Sequence, residues 1–123
     1  VMLEGTILKA SMIIPGKDCP QQADVEEVAD FTVQCLKSAV PAALPGIVFL
    51  SGGQSDDDAT AHLNEMNKSE NLPWPLSFSY GRAMQSAALK IWGADIVNNV
   101  AEAQKTVYAR AKDNGLAAKG EWQ

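Results

Sequence analysis

Three places in the sequence put reactive or anion-binding groups where an apolar run ends. Lys9 closes "LEGTILK", Ser51-Gly52-Gly53 follows "IVFL", and Ser79-Tyr80-Gly81-Arg82 ends the run that starts at Leu76. A lysine amine kept unprotonated by desolvation or neighbouring cations is a nucleophile that condenses with a ketone. Paired glycines tolerate positive φ and close approach, so Gly52 and Gly53 can turn their N–H groups toward a phosphate. Gly81 can offer another amide, and the Arg82 guanidinium can grip phosphate oxygens in a bidentate fashion. No lysine follows Gly52-Gly53 in P-loop spacing, which excludes a Walker nucleotide site. Asp56, Asp57 and Asp58 already occupy the positive end of the next helix, so a phosphate must sit upstream of them, on the Gly52 amide. Each group also has a plainer reading. A strand-terminal lysine can snorkel to water, a Gly-Gly after a strand can be a tight turn, and an arginine opening a helix can be a surface residue.

The elements that must carry these groups alternate. Val1 to Lys9 reads as a strand, which places Lys9 on one face with Leu3, Gly5 and Ile7 and puts Glu4 on the other. Asp24 opens a helix with Glu26 and Glu27 in its first turn; Val25, Val28, Thr32, Cys35, Leu36 and Ala39 share a face, and the helix ends before Pro41. Ile47 to Leu50 is a continuous apolar run, the pattern of a parallel strand buried on both faces. Ser55 is a good N-cap for a helix to about Asn67, with Asp58 in a capping-box-like position. Leu76 to Tyr80 is a third strand. A helix from Gly81-Arg82 to Trp92 follows, with Met84, Ala87, Ala88, Ile91 and Trp92 as packing residues. Asp95 to about Ala118 is the last helix, with Val100, Ala103 and Val107 as its core stripe. Repeated strand-helix units mean a parallel α/β sheet, either part of a (β/α)8 barrel or a small open sheet. In both folds ligands bind at the C-terminal strand edge, where the three groups fall.

Composition narrows the partners. Ten Lys and Arg against fifteen Asp and Glu give a net charge of −5, which argues against general affinity for nucleic acid or for an anionic membrane. No apolar span has transmembrane length, and the start lacks the regions of a signal peptide. Cys19, Cys35 and the single histidine, His62, have no metal-ligand spacing, so no metal or other cofactor is expected and the cysteines read as free thiols of a cytoplasmic protein. His62, among polar neighbours on a helix, reads as a solvated surface residue. The opening Val1-Met2-Leu3 and the ending at Gln123 suggest one segment of a longer molecule.

The stretches "LEGTILKASM", "FLSGGQSDDDATAHLNEMN" and "LSFSYGRAMQSAALKIWG" together resemble the C-terminal part of class I fructose-bisphosphate aldolases, the Schiff-base, metal-independent kind. The resemblance runs over essentially the whole chain, with the motifs in order. It implies residues 1–123 as the last three strands, six to eight, of a (β/α)8 barrel. Lys9 would be the imine-forming residue. Ser51 and Gly52, with Gly53 beside them, would bind one substrate phosphate together with Ser79, Gly81 and Arg82. Reversible cleavage of fructose 1,6-bisphosphate and a homo-oligomeric complete enzyme are implied as well. Ala10 stands where the family usually has proline. The remaining catalytic acids and lysines of the family lie on earlier strands, outside this chain, and Gln123 ends it without the tyrosine-terminated tail of animal enzymes. The alternative is a sugar-phosphate-binding or structural segment that turns nothing over without the missing part and has exposed sheet edges.

Overall fold

The computed structural model describes residues 1–123. Its sheet has three parallel strands in the order β1 (Ile7–Ala10), β2 (Gly46–Phe49) and β3 (Leu76–Phe78). Four helices follow the strands: α1 (Val25–Ala39), α2 (Asp56–Lys68), α3 (Arg82–Ala94) and α4 (Val100–Ala117). Both strand steps are strand-helix-strand, the crossover that parallel pairing requires.

The register sorts the strand residues into two sets. Leu8 lies beside Ile47 and Ile47 beside Leu76, while Ala10, Phe49 and Phe78 form the next row of the same face. This face is the core side: Ile47, Phe49 and Leu76 are buried against Val28, Leu36, Leu63 and Met66 of α1 and α2. Lys9, Val48 and Ser77 form a row on the opposite face, which no helix covers. Ile7 on that face is 61% exposed and Leu50, next in alternation after Val48, is 37% exposed. Helices therefore pack one side of the sheet only. Within residues 1–123, Ile47 to Leu50 is therefore covered on one face only.

Capping residues fix where the first two helices start. Asp24 accepts from the Glu27 amide at 2.9 Å while the Glu27 carboxylate accepts from the Asp24 amide at 3.3 Å, a reciprocal box at the head of α1. Ser55 Oγ accepts from the Asp58 amide at 3.0 Å at the head of α2, where three aspartates meet the positive end of the helix. Val28, Ala29, Thr32, Val33 and Leu36 form the buried face of α1; Cys35 and Ala39 are exposed.

The structure departs from five other expectations. The strand Val1 to Lys9 begins only at Ile7, because the Gly5 and Thr6 amides turn back onto Met2 and Leu3 and make a 3-10 turn at Leu3–Gly5. Of the three residues expected to share the Lys9 face of a strand, only Ile7 does so, and Glu4 lies exposed in the turn. The last helix starts at Val100, since Asp95 Oδ1 accepts from the Val97 and Asn98 amides and ties residues 95–98 into a turn. Ala103 alone of the expected stripe is buried. Val100 and Val107 are exposed and, with Leu89, Trp92 and Tyr108, line an open groove of about 630 Å³ between α3 and α4. Trp92 is thus a surface residue, and the buried side of α4 is Ala103, Arg110, Asn114 and Ala117. No helix is long and apolar enough to cross a membrane.

Candidate functional site at the C-terminal strand edge

Parallel strands bring the three sequence groups to one edge. Lys9 is the third residue of β1 and projects from the uncovered face, exposed, without a hydrogen bond or ion pair to the chain. Ser79 continues β3 in the same alternation as Ser77, and its amide donates to the Phe49 carbonyl at 2.9 Å. Ser51 falls on the other parity and is buried, with its hydroxyl 3.4 Å from the Ala83 amide at the start of α3. Its side chain is therefore turned toward the helices, and only the backbone of this residue faces the edge.

The two loops are joined through Arg82. Its Nη1 donates to Asp56 Oδ1 at 3.0 Å, and Nη2 donates to the Ser51 carbonyl at 2.6 Å and to the Gln54 carbonyl. Asp56 Oδ2 in turn accepts from Ser86 Oγ at 2.6 Å. Arg82 is thus docked on the Ser51-Gly52-Gly53-Gln54 loop, half exposed, rather than free at the surface. The amides of Gly52, Gly53 and Gly81 donate to no acceptor of the chain and all three residues are exposed. Such amides beside a guanidinium suit an oxyanion. Neither Gly52 nor Gly53 uses positive φ; Gly120 is the glycine that does. Gly53 instead answers to close approach, since a Cβ there would sit 2.9 Å from Ile14 Cδ1, while Gly52 and Gly81 face open space.

Several residues of the site were not singled out by sequence reasoning. Arg110, on α4, reaches under both loops: its Nε donates to the Ala83 carbonyl at 3.0 Å, and its Nη groups donate to Asp57 Oδ1 at 2.9 Å, the Asp56 carbonyl at 2.5 Å and Thr60 Oγ1 at 2.8 Å. Asn114, one turn later, accepts from Thr60 Oγ1 at 2.9 Å. The signal was a polar pair at i and i+4 in line with Ala103 and Ala117. Tyr80 Oη donates to the Ala59 carbonyl at 2.8 Å, so Tyr80 packs inside and burial holds its hydroxyl well above the usual phenol range, against a smaller opposing effect of Arg110.

His62 is the largest departure from the sequence reading. It is 6% exposed, not solvated, because α2 turns that face toward the loop after β1. Desolvation holds its imidazole below the ordinary histidine range, opposed by the nearby Asp58 carboxylate. No group of three or more His, Cys, Asp or Glu side chains is placed to hold a metal ion.

Comparison with known proteins now adds to this geometry. A family model described as fructose-bisphosphate aldolase class-I matches residues 1–123. The chain belongs to the class I fructose-bisphosphate aldolase family. It is 69% identical over 123 residues to a Xanthomonas axonopodis pv. citri protein named "Probable fructose-bisphosphate aldolase class 1", covering all of this chain and 37% of that protein. Fructose-bisphosphate aldolase 1 of Toxoplasma gondii is 52% identical over 122 residues, covering 99% of this chain and 33% of the other. The solved structure of fructose-bisphosphate aldolase from Plasmodium falciparum, in complex with TRAP and a small molecule inhibitor, superposes with a TM-score of 0.94 at 43% identity. It is covered to 35% of its length by all of this chain. The three-stranded sheet is accordingly the C-terminal portion of a (β/α)8 barrel, and the chain spans about a third of the length of the aldolases it matches. Its uncovered face is the side of the strands that turns inward in such a barrel.

Proposed function

We propose that this aldolase segment supplies the imine-forming lysine and one phosphate site of an enzyme that reversibly cleaves fructose 1,6-bisphosphate. Dihydroxyacetone phosphate and glyceraldehyde 3-phosphate are the products. The observation that carries the reading is the shared edge: a Lys9 amine on the inward face, and at the same edge two loops whose free amides and Arg82 suit a phosphate.

Lys9 Nζ attacks the ketose carbonyl carbon, water leaves, and a protonated imine forms. The imine draws the electron pair of the adjacent carbon-carbon bond as a base removes the proton of the C4 hydroxyl, so that bond breaks and glyceraldehyde 3-phosphate departs. Protonation of the resulting enamine and hydrolysis of the imine return the lysine and release dihydroxyacetone phosphate. The base is assigned to the part of the enzyme outside these residues. Ser51, Gly52, Gly53, Ser79, Gly81 and Arg82 hold the phosphate next to the ketone; exposed backbone amides and one guanidinium neutralise it without a metal ion. Uniform phosphate binding of this kind lowers KM, whereas the imine lowers the barrier. We assign the complete enzyme to the cytoplasm as a homo-oligomer.

Borohydride reduction in the presence of dihydroxyacetone phosphate tests the assignment. In the full-length enzyme a stable adduct is expected on Lys9, and Lys9→Arg, which keeps the charge but not a usable primary amine, should abolish it. Normal adduct yield in Lys9→Arg overturns it. A second reading, a phosphate-binding segment without chemistry of its own, rests on the free Gly52, Gly53 and Gly81 amides beside Arg82 alone, and it predicts phosphate binding with no adduct.

A further inference from the structure

One side chain fastens the loop after β2 to the loop after β1. Gln54 Nε2 lies 2.9 Å from Met12 Sδ and 2.9 Å from His62 Nδ1. An amide nitrogen only donates and a thioether sulfur only accepts, so one Nε2 proton goes to each partner. His62 Nδ1 must then be unprotonated, and the neutral ring carries its proton on Nε2. Turning the amide over would set Oε1 against the sulfur, acceptor against acceptor, so Met12 fixes the orientation that requires a neutral imidazole. The backbone on either side is equally committed. The Gln54 carbonyl accepts from Arg82, Gly53 rests on Ile14, and the Ile13 amide donates to the buried Thr32 Oγ1 at 2.9 Å.

We infer that His62 is a positioning residue of the phosphate site: the neutral ring holds Gln54, and through Gln54 the Ser51–Ser55 loop and the Arg82 guanidinium. The inference rests on the reading of that loop and Arg82 as the phosphate site. Protonation of Nδ1 places a donor against the Gln54 donor, and no orientation of the amide then satisfies both His62 and Met12. The loop loses its tie and phosphate affinity falls. Charged groups from three elements line the same cleft of about 500 Å³ as the imidazole: Asp58 on α2, Asp24 at the head of α1, and Lys17 in the loop after β1. The Asp58 carboxylate favours a charged ring, and burial outweighs it, holding the imidazole below the ordinary histidine range.

The test uses the full-length enzyme with His62 intact, His62→Asn and His62→Leu. Asparagine carries Oδ1 on Cγ, where histidine carries Nδ1, so it can accept from Gln54 but cannot titrate. Affinity for dihydroxyacetone phosphate is read by equilibrium dialysis between pH 5.5 and 8, and borohydride-trapped imine is read at saturating ligand. At pH 8 His62→Leu should bind about three- to tenfold more weakly, the size of one lost hydrogen bond, and His62→Asn within about twofold of the parent. Trapped imine at saturation should be equal in all three. On acidification the parent should lose affinity more steeply than His62→Asn; the phosphate's own ionisation near pH 6 affects both and cancels. Equal affinity of parent and His62→Leu at pH 8, or parallel pH profiles of parent and His62→Asn, overturns the inference. If His62→Leu does not fold, the comparison with His62→Asn decides alone. Absence of any trapped imine in the parent would sink the lysine assignment instead, and the binding comparison would still decide on His62.

Discussion

Arg110→Met removes a buried guanidinium while keeping an unbranched apolar stem of similar length in its place. Four hydrogen bonds go with it, to the Ala83 and Asp56 carbonyls, to Thr60 Oγ1 and to Asp57. Their worth is unequal. The Asp57 carboxylate is 84% exposed and returns to water, so this pair contributes less than about 1 kcal/mol. Thr60 Oγ1 keeps its one hydroxyl proton on Asn114 Oδ1. What remains uncompensated is charge-assisted bonding to two carbonyls at the heads of α2 and α3, at about 1.5–3 kcal/mol for a bond to a charged group, less the desolvation the guanidinium no longer suffers. The expected loss is about 2–3 kcal/mol. It lies above an exposed ion pair at about 1 and below a one-sided break of a buried pair at about 3–5 kcal/mol. Urea unfolding of the full-length enzyme should show this as a lower midpoint at unchanged slope. Arg110→Lys should recover less than half, because one ammonium cannot span acceptors on both helices. A midpoint within about 0.5 kcal/mol of the parent would mean that the helix heads are held together without Arg110, and the reasoning fails.

Three further outcomes follow from the same geometry. Arg82→Ala should cost about 1–2 kcal/mol of stability, since its pair with Asp56 is half exposed but its bonds to the Ser51 and Gln54 carbonyls are lost too, and should weaken bisphosphate binding by about 1.5–3 kcal/mol while leaving imine formation intact; equal losses for a ketose lacking that phosphate would assign the arginine to folding. Because burial lowers the folded-state value of His62, its neutral form favours folding fully above the ordinary histidine range near 6.5, and this contribution should be lost as pH falls through the folded-state value. Chemical denaturation of parent and His62→Asn across that range checks it, and a parent midpoint with no extra acid sensitivity contradicts it. Residues 1–123 expressed alone should associate and show no aldol cleavage until the rest of the barrel is supplied, measured by sedimentation and a coupled assay; a soluble monomer with near-native turnover would refute this.

Local chemistry was the legible part of the sequence. Asp24 with acidic residues in the next turn, and Ser55 three residues before Asp58, gave helix starts that the capping bonds bear out. Apolar runs ending in lysine or glycine gave the order of strands and put Lys9, Ser51-Gly52-Gly53 and Ser79 to Arg82 at one edge. Long-range partners were not legible. His62 was read by its polar sequence neighbours, yet its environment is set by Gln54, and through Gln54 by Met12, a residue fifty positions away in sequence. Arg110 and Asn114 defeated the apolar-stripe rule, because α4 buries polar side chains over the heads of α2 and α3 and leaves Val100 and Val107 outside. The start of β1 failed for a local reason: the 3-10 turn at Leu3–Gly5 is made by backbone bonds that an apolar run does not reveal.

The division of the strands into two parities separates two kinds of evolutionary freedom. Leu8, Ile47, Phe49 and Leu76 pack the helices, while Lys9, Val48, Leu50, Ser77 and Ser79 point the other way and contribute little to the core of this segment. In the closed barrel the second set fills the interior layers, so only its members at the C-terminal strand edge, such as Lys9 and Ser79, can change what the site recognises while the scaffold stays fixed. A single-residue insertion in any strand would exchange the two sets and ruin both at once. Lineages of this fold are thus free to explore new sites by replacement at that edge, and are barred from doing so by changing strand length.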